Sequence, residues 1–200
     1  QISPYDKLFQ TYANHIGWDW RLLASQAYQE SRFDTKAQSW AGAQGLLQVM
    51  PSTGKSLGIT NPSDPEQSIR GGVKYLKQNY QELESVKDSL NRIKLTLAAY
   101  NCGLGHVLDA QRLTSAEGLN PNIWDDVAPK LLALRFPRNY NKPIVEHGYV
   151  RGTEPVKYVK QIFERYEHYK TFAVLEEDEN EDEKSMQEVI ASSTSIPTVK

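Results

Sequence analysis

The apolar residues of this chain recur in steps of three and four, segment after segment, and that spacing directs it to a helical fold. Tyr5, Leu8, Phe9, Tyr12, Ala13 and Ile16 make the first stripe, with Ser3 as a candidate N-cap, Pro4 at the first helical position and Gly17 as the stop. Trp20, Leu23, Ala24, Ala27 and Tyr28 make the second, behind a capping Asp19. The third is Ile69, Val73, Leu76, Tyr80 and Leu83. Its start is marked by Asp64 as cap, Pro65 at the first position and Gln67 as capping-box partner. Gly71 and Gly72 weaken this helix and so predict close contact with another backbone. Further stripes comprise Leu90, Ile93, Leu97 and Ala98; Val107 and Leu108; Ile123, Trp124, Val127, Leu131 and Leu134; and Val159, Ile162, Phe163 and Tyr166, with Tyr158 beside the last. Between them, 31–44 reads as a loop, 45–57 as short helical turns broken at Pro51, and 136–152 as an ordered loop or short hairpin.

Two hundred residues can bury one sizeable core, so the expectation is a single all-α domain over residues 1–172. From 176 to 183 the chain is almost all acid, and from 191 onward mostly small and polar; residues 173–200 are expected to form a flexible, disordered tail. A net charge of −2 without a basic, aromatic-laced run argues against nucleic acid. A single cysteine, Cys102, forms no internal disulfide and leaves the redox compartment open. The chain opens on Gln1 without an export signal, so a longer parent protein is expected. No apolar run is long enough to cross a membrane, and no membrane contact is expected of this segment. His15, His106, His147 and His168 are scattered, which predicts no metal, and no nucleotide loop predicts a cofactor.

The chemistry concentrates in 28–51. Glu30 ends the second helix on its apolar side, where desolvation favours the protonated form that a general acid needs near neutral pH. Gly42 and Gly45 permit tight turns, and Leu46, Leu47, Val49 and Met50 form an apolar wall from which Gln48 projects a donor and an acceptor. Glycoside cleavage commonly uses two carboxylates, and Asp34 is the only nearby second candidate, although an Asp just past a helix is usually a turn former. Equally ordinary readings exist for the rest: Gln48 satisfying a backbone group, Tyr158 as half-buried packing, Ser39 ending a turn, and Cys102 as a buried thiol. Trp20 and Trp124 read as core, whereas Trp40 is left open between core and sugar stacking.

Four stretches in order resemble a known family: Glu30-Ser31; Gly45-Leu46-Leu47-Gln48-Val49-Met50-Pro51; Ala99-Tyr100-Asn101-Cys102-Gly103; and Glu154 through Tyr158-Val159 with Ile162 beyond. They are similar to lytic transglycosylases with the soluble-lytic-transglycosylase type of catalytic domain, which share a lysozyme-like fold. Gly105–Ala110, Trp124–Val127 and Gly148–Gly152 extend the likeness toward a membrane-bound branch. Leu47 stands where the family usually has Met, and Cys102 where a small residue is common; neither is a polar catalytic group.

The resemblance implies cleavage of the β-1,4 bond between N-acetylmuramic acid and N-acetylglucosamine in peptidoglycan, without water. Glu30 would serve as acid and then as base, closing a 1,6-anhydro ring. Tyr158 would hold the Glu30 carboxyl, Ser39 would contact the reacting sugar, Gln48 and Asn101 would hold acetamido or hydroxyl groups, and Tyr100 would line the site. It also implies an amino-terminal domain related to solute-binding proteins in the full-length protein, and a periplasmic, outer-membrane-associated location. Two rival expectations are a goose-type lysozyme, which admits water, and an inactive glycan-binding scaffold.

Overall fold

The computed structural model describes residues 1–172. It contains α1 (Asp6–Ala13), α2 (Trp20–Ser31), α3 (Pro51–Ser56), α4 (Pro65–Glu82), α5 (Ser89–Cys102), α6 (Leu104–Ala116), α7 (Trp124–Ala133), the short α8 (Pro137–Tyr140) and a last helix, α9, over 153–172. Among the described residues there is no strand, only the isolated bridges Gln38 to Gln44 and Gln44 to Val49, so the hairpin considered for 136–152 does not form. The expected acidic tail lies outside the described residues.

Helix α5 is the axis of the fold. Six consecutive residues, Leu95 to Tyr100, are buried, which requires neighbours on every side rather than along one stripe. It packs against α4, α6 and α7, while α1 bridges α2 and α4. Helix α2 is similarly enclosed from Leu22 to Ala27, and that is what brings its C-terminal turn, with Glu30, to the interior edge of the domain.

The expected caps at Asp19 and Asp64 form, and Asp88 caps α5 in the same way, each side chain accepting from a backbone N–H of its helix's first turn. Several local expectations are corrected. Helix α1 begins at Asp6 rather than Pro4, because Ser3 and Asp6 close a turn together: Ser3 N–H and Oγ donate to Asp6, and Tyr5 N–H donates to Ser3 Oγ. Pro51 starts α3 instead of breaking a helix, since its missing N–H has no partner to lose at that position. Gln67 does not complete a capping box; its Oε1 accepts from Thr60 and Asn61 and ties the preceding loop to α4. Gly71 and Gly72 make room for side chains, not backbone: a Cβ at Gly71 would lie 2.3 Å from Ile59 Cδ1, and one at Gly72 would lie 2.4 Å from Leu47 Cδ1. Leu90 is not core but 49% exposed, at the mouth of a groove of about 940 Å³ shared with Lys94, Trp124 and Phe163.

Candidate active site

Glu30 is held from both ends of the chain. Asp19 caps α2, and Arg32, in the left-handed region at φ 53°, ends it by donating its N–H to Tyr28 O. The next residue, Phe33, is also left-handed, and so is Gln48. These are the three non-glycine residues with positive φ among those described; Arg32 and Phe33 follow the acid in the chain, and Gln48 lies in the 45–50 wall. Such conformations persist only where surrounding contacts enforce them.

Helix α9 runs antiparallel along α2, as their hydrogen-bond partners show: Ser25 Oγ donates to Ile162 O (2.6 Å), Gln29 Nε2 to Gln161 Oε1 (2.9 Å), and Tyr166 Oη to Asp19 Oδ2 (3.1 Å). Arg165 adds a bond to Gln29 Oε1. This docking sets Tyr158 over the end of α2, where its hydroxyl donates to Glu30 Oε1 at 2.5 Å. Behind it, Gln26 Nε2 donates to the same phenol oxygen at 3.0 Å.

Glu30 is half-buried, and burial lifts its carboxyl from 4.5 to about 7, with the hydrogen bond from Tyr158 pulling the other way. Tyr158 and Tyr100 are buried, and their phenols are pushed well above 10, first by desolvation and then by the negative charge of Glu30 nearby. Both therefore stay neutral, and Tyr158 acts only as a donor to the acid. A carboxyl poised near neutrality is protonated often enough to give a proton away and acidic enough to take one back.

The remaining candidates hold less direct positions. Tyr100 Oη donates to Leu47 O (2.6 Å), pinning α5 to the 45–50 wall. Gln48 spends its Nε2 on Ala37 O and Gly45 O, bracing the loop against the wall; only Oε1 is left for a ligand. Ser39 Oγ accepts from Ala43 N–H and closes the turn that carries Trp40, which is 100% exposed. Asn101 is exposed in the last turn of α5, next to Tyr100. None of Ser39, Gln48 or Asn101 touches Glu30 through a hydrogen bond. Asp34 is exposed, and its Oδ1 accepts from Lys36 N–H, the ordinary turn role. No other acid contributes to the shift at Glu30.

Gly45 sets the wall itself. Its φ is +82°, and a Cβ there would meet Pro62 O at 2.3 Å. Ser31 completes the junction, its hydroxyl lying 2.9 Å from Leu46 O and 3.0 Å from Ala27 O, so that one proton links the helix end to the wall.

Two features were missed by sequence reasoning. Gln26 is one. The other is Asp109, wholly buried in α6, which accepts from the backbone N–H groups of Glu146 and His147 and pairs with Arg112. It fastens the 141–150 loop and brings the His147 ring to 6.4 Å from that of His106, two histidines that the sequence left apart. Among the described residues no group of three His, Cys, Asp or Glu could hold a metal ion. Burial pushes the Cys102 thiol up to about 12, far from the thiolate that a nucleophile needs.

The described residues thus form an all-helical domain built around a central buried helix, presenting one half-buried glutamate fixed by a tyrosine. The Transglycosylase SLT domain model matches residues 7–123, and the chain belongs to that family. Among its relatives, membrane-bound lytic murein transglycosylase F of Vibrio campbellii (strain ATCC BAA-1116) is 43% identical over 169 residues, covering 83% of this chain and 30% of the relative. The protein of the same name from Shewanella halifaxensis (strain HAW-EB4) is 44% identical over 168 residues, covering 84% and 34%. The chain thus spans about a third of the length of these curated relatives. Of solved structures, the 70-kDa soluble lytic transglycosylase of Escherichia coli superposes with a TM-score of 0.58 at 24% identity, over 84% of this chain and 24% of that one. The complex of the 70-kDa soluble lytic transglycosylase with bulgecin A gives 0.60 at 26% identity, over 85% and 24%.

Proposed function

We propose that this domain is a peptidoglycan lytic transglycosylase that cleaves the β-1,4 bond between N-acetylmuramic acid and N-acetylglucosamine and leaves a 1,6-anhydromuramoyl end. The observation that carries the reading is a single carboxyl, lifted to about 7 by burial and held by Tyr158. Glu30 first gives its proton to the glycosidic oxygen, and the bond to the anomeric carbon breaks as positive charge develops there. The ionised carboxylate then takes the proton of the muramoyl C6 hydroxyl, whose oxygen bonds to that carbon. Atoms balance without water, and the acid returns to its starting state.

Participation of the substrate's N-acetyl group replaces a second carboxylate. That fits Asp34 being committed to its own turn. The outer faces of Gln48 Oε1, Ser39 and Asn101 would hold sugar substituents, and Tyr100 would support them from behind. The membrane-bound names of its relatives favour an envelope location on the periplasmic side, with outer-membrane attachment and an amino-terminal solute-binding-like domain supplied by the rest of a longer protein. No helix among the described residues is long and apolar enough to cross a membrane.

Purified peptidoglycan incubated with the protein should release muropeptides lighter by one water than their reducing-end counterparts, read by mass spectrometry, and Glu30→Gln should release none. Reducing ends would make the domain a lysozyme. Retained glycan binding without release by the unaltered protein would make it a scaffold.

A further inference from the structure

We propose that Gln26 is a positioning residue for this reaction: acting through Tyr158, its amide orients the phenol and strengthens the hydrogen bond that the phenol donates to Glu30. The inference rests on the reading of Glu30 as acid and base. Gln26 stands one helical turn before Glu30 on α2, so both side chains leave the same face. The phenol oxygen accepts from Gln26 Nε2 at 3.0 Å and gives its own proton to Glu30 Oε1 at 2.5 Å. A hydroxyl that accepts one hydrogen bond is polarised into a better donor of the next. The two bonds therefore reinforce each other in one direction, toward the carboxylate.

Packing alone does not account for an amide here. Gln26 is wholly buried in a helix whose Leu22, Leu23, Ala24 and Ala27 are also buried, and its Oε1 has no hydrogen-bond partner among the described residues. An unpaired buried carbonyl has given up water and gained nothing in return. Leu or Met would fill a similar volume without that loss. What the amide supplies and an alkyl chain lacks is the donor to Tyr158. The titratable groups facing the acid are Tyr158 on α9 and Tyr100 on α5, both neutral, so the Tyr158 bond is the interaction that counters desolvation of Glu30.

The test measures kcat, KM and their pH dependence on a soluble peptidoglycan tetrasaccharide for the unaltered protein, Gln26→Leu, Tyr158→Phe and the double variant. Gln26→Met serves as a second packing replacement, and circular dichroism checks folding. Gln26→Leu should lower kcat about tenfold with KM little changed. It should move the alkaline limb to higher pH, because a less supported carboxylate keeps its proton longer, and it should add no further loss in the Tyr158→Phe background. Losses that add in the double variant, or a fall in activity with the alkaline limb unmoved in both replacements, would overturn the proposal and leave Gln26 a packing residue. Titration of the Glu30 carboxyl carbon by NMR gives a readout independent of cleavage. A midpoint raised by Gln26→Leu in a protein that cleaves no glycan would sustain the relay while refuting the proposed reaction, and an unmoved midpoint in an active enzyme would do the reverse.

Discussion

Removing the acid should make this domain inert and, above neutral pH, more stable. Burial lifts the Glu30 carboxyl from 4.5 to about 7. Between those values the native protein holds a proton that the unfolded chain has released, so unfolding becomes easier as pH rises through that window; the native state pays no such penalty at or below 4.5. At about 1.4 kcal/mol per pKa unit the interval amounts to at most about 3.5 kcal/mol, a ceiling because the side chain keeps some contact with water. In Glu30→Gln the side chain keeps its shape and an oxygen to accept from Tyr158, but it has no charge to desolvate. The variant's advantage in unfolding free energy should be near zero at about pH 4 and reach about 1–3 kcal/mol by about pH 8. Urea denaturation followed by circular dichroism across that range measures it, with muropeptide release recorded alongside. A difference that stays flat with pH, or an unaltered protein that is the more stable above pH 7, would refute the desolvated acid and the acid–base cycle built on it.

Other perturbations separate the roles of neighbouring residues. Asp34→Asn should leave kcat within about twofold, since the side chain serves a turn; a fall of about a hundredfold or more would restore it as a second catalytic carboxylate. Asp109→Ala should cost about 3 kcal/mol and open 141–150 to proteolysis, measured by urea unfolding and limited digestion, because two backbone N–H groups and Arg112 lose a buried acceptor. Gly45→Ala should lower the melting temperature through a loss of more than about 1 kcal/mol, as the new Cβ meets Pro62 O in a left-handed backbone.

Most of the helices were legible because they obey local rules, whereas the short α8 lies in a stretch that reads as a loop. Asp19, Asp64 and Asp88 cap where a short polar side chain before an apolar stripe should, and the stripes bury as their spacing requires, apart from Leu90 and Ile123, which are exposed. Glu30 was legible as an acid on an apolar face. Its partner Tyr158 was legible only through the motif resemblance, since no local spacing joins residues so far apart. Gln26 carried no signal at all: a glutamine among buried leucines becomes informative once α9 lies against it. Asp109 could have been found as an acid beside Val107 and Ala110 in an apolar stripe, although what it holds are backbone groups of a distant loop. Gln67 shows the opposite limit, its amide going to Thr60 and Asn61, where a longer reach competes with the local cap.

The hydrogen bond between Tyr158 and Glu30 closes a loop of 128 residues. Contacts of such separation form late, after the loop-closure entropy has been met by the helices between them. Until α9 is made and docked the acid lacks its tyrosine, and a chain clipped ahead of α9 is left in the same condition. For a catalyst whose proposed substrate is the wall that keeps a cell intact, competence arrives with α9, and an unfinished or damaged copy carries the blade without its edge.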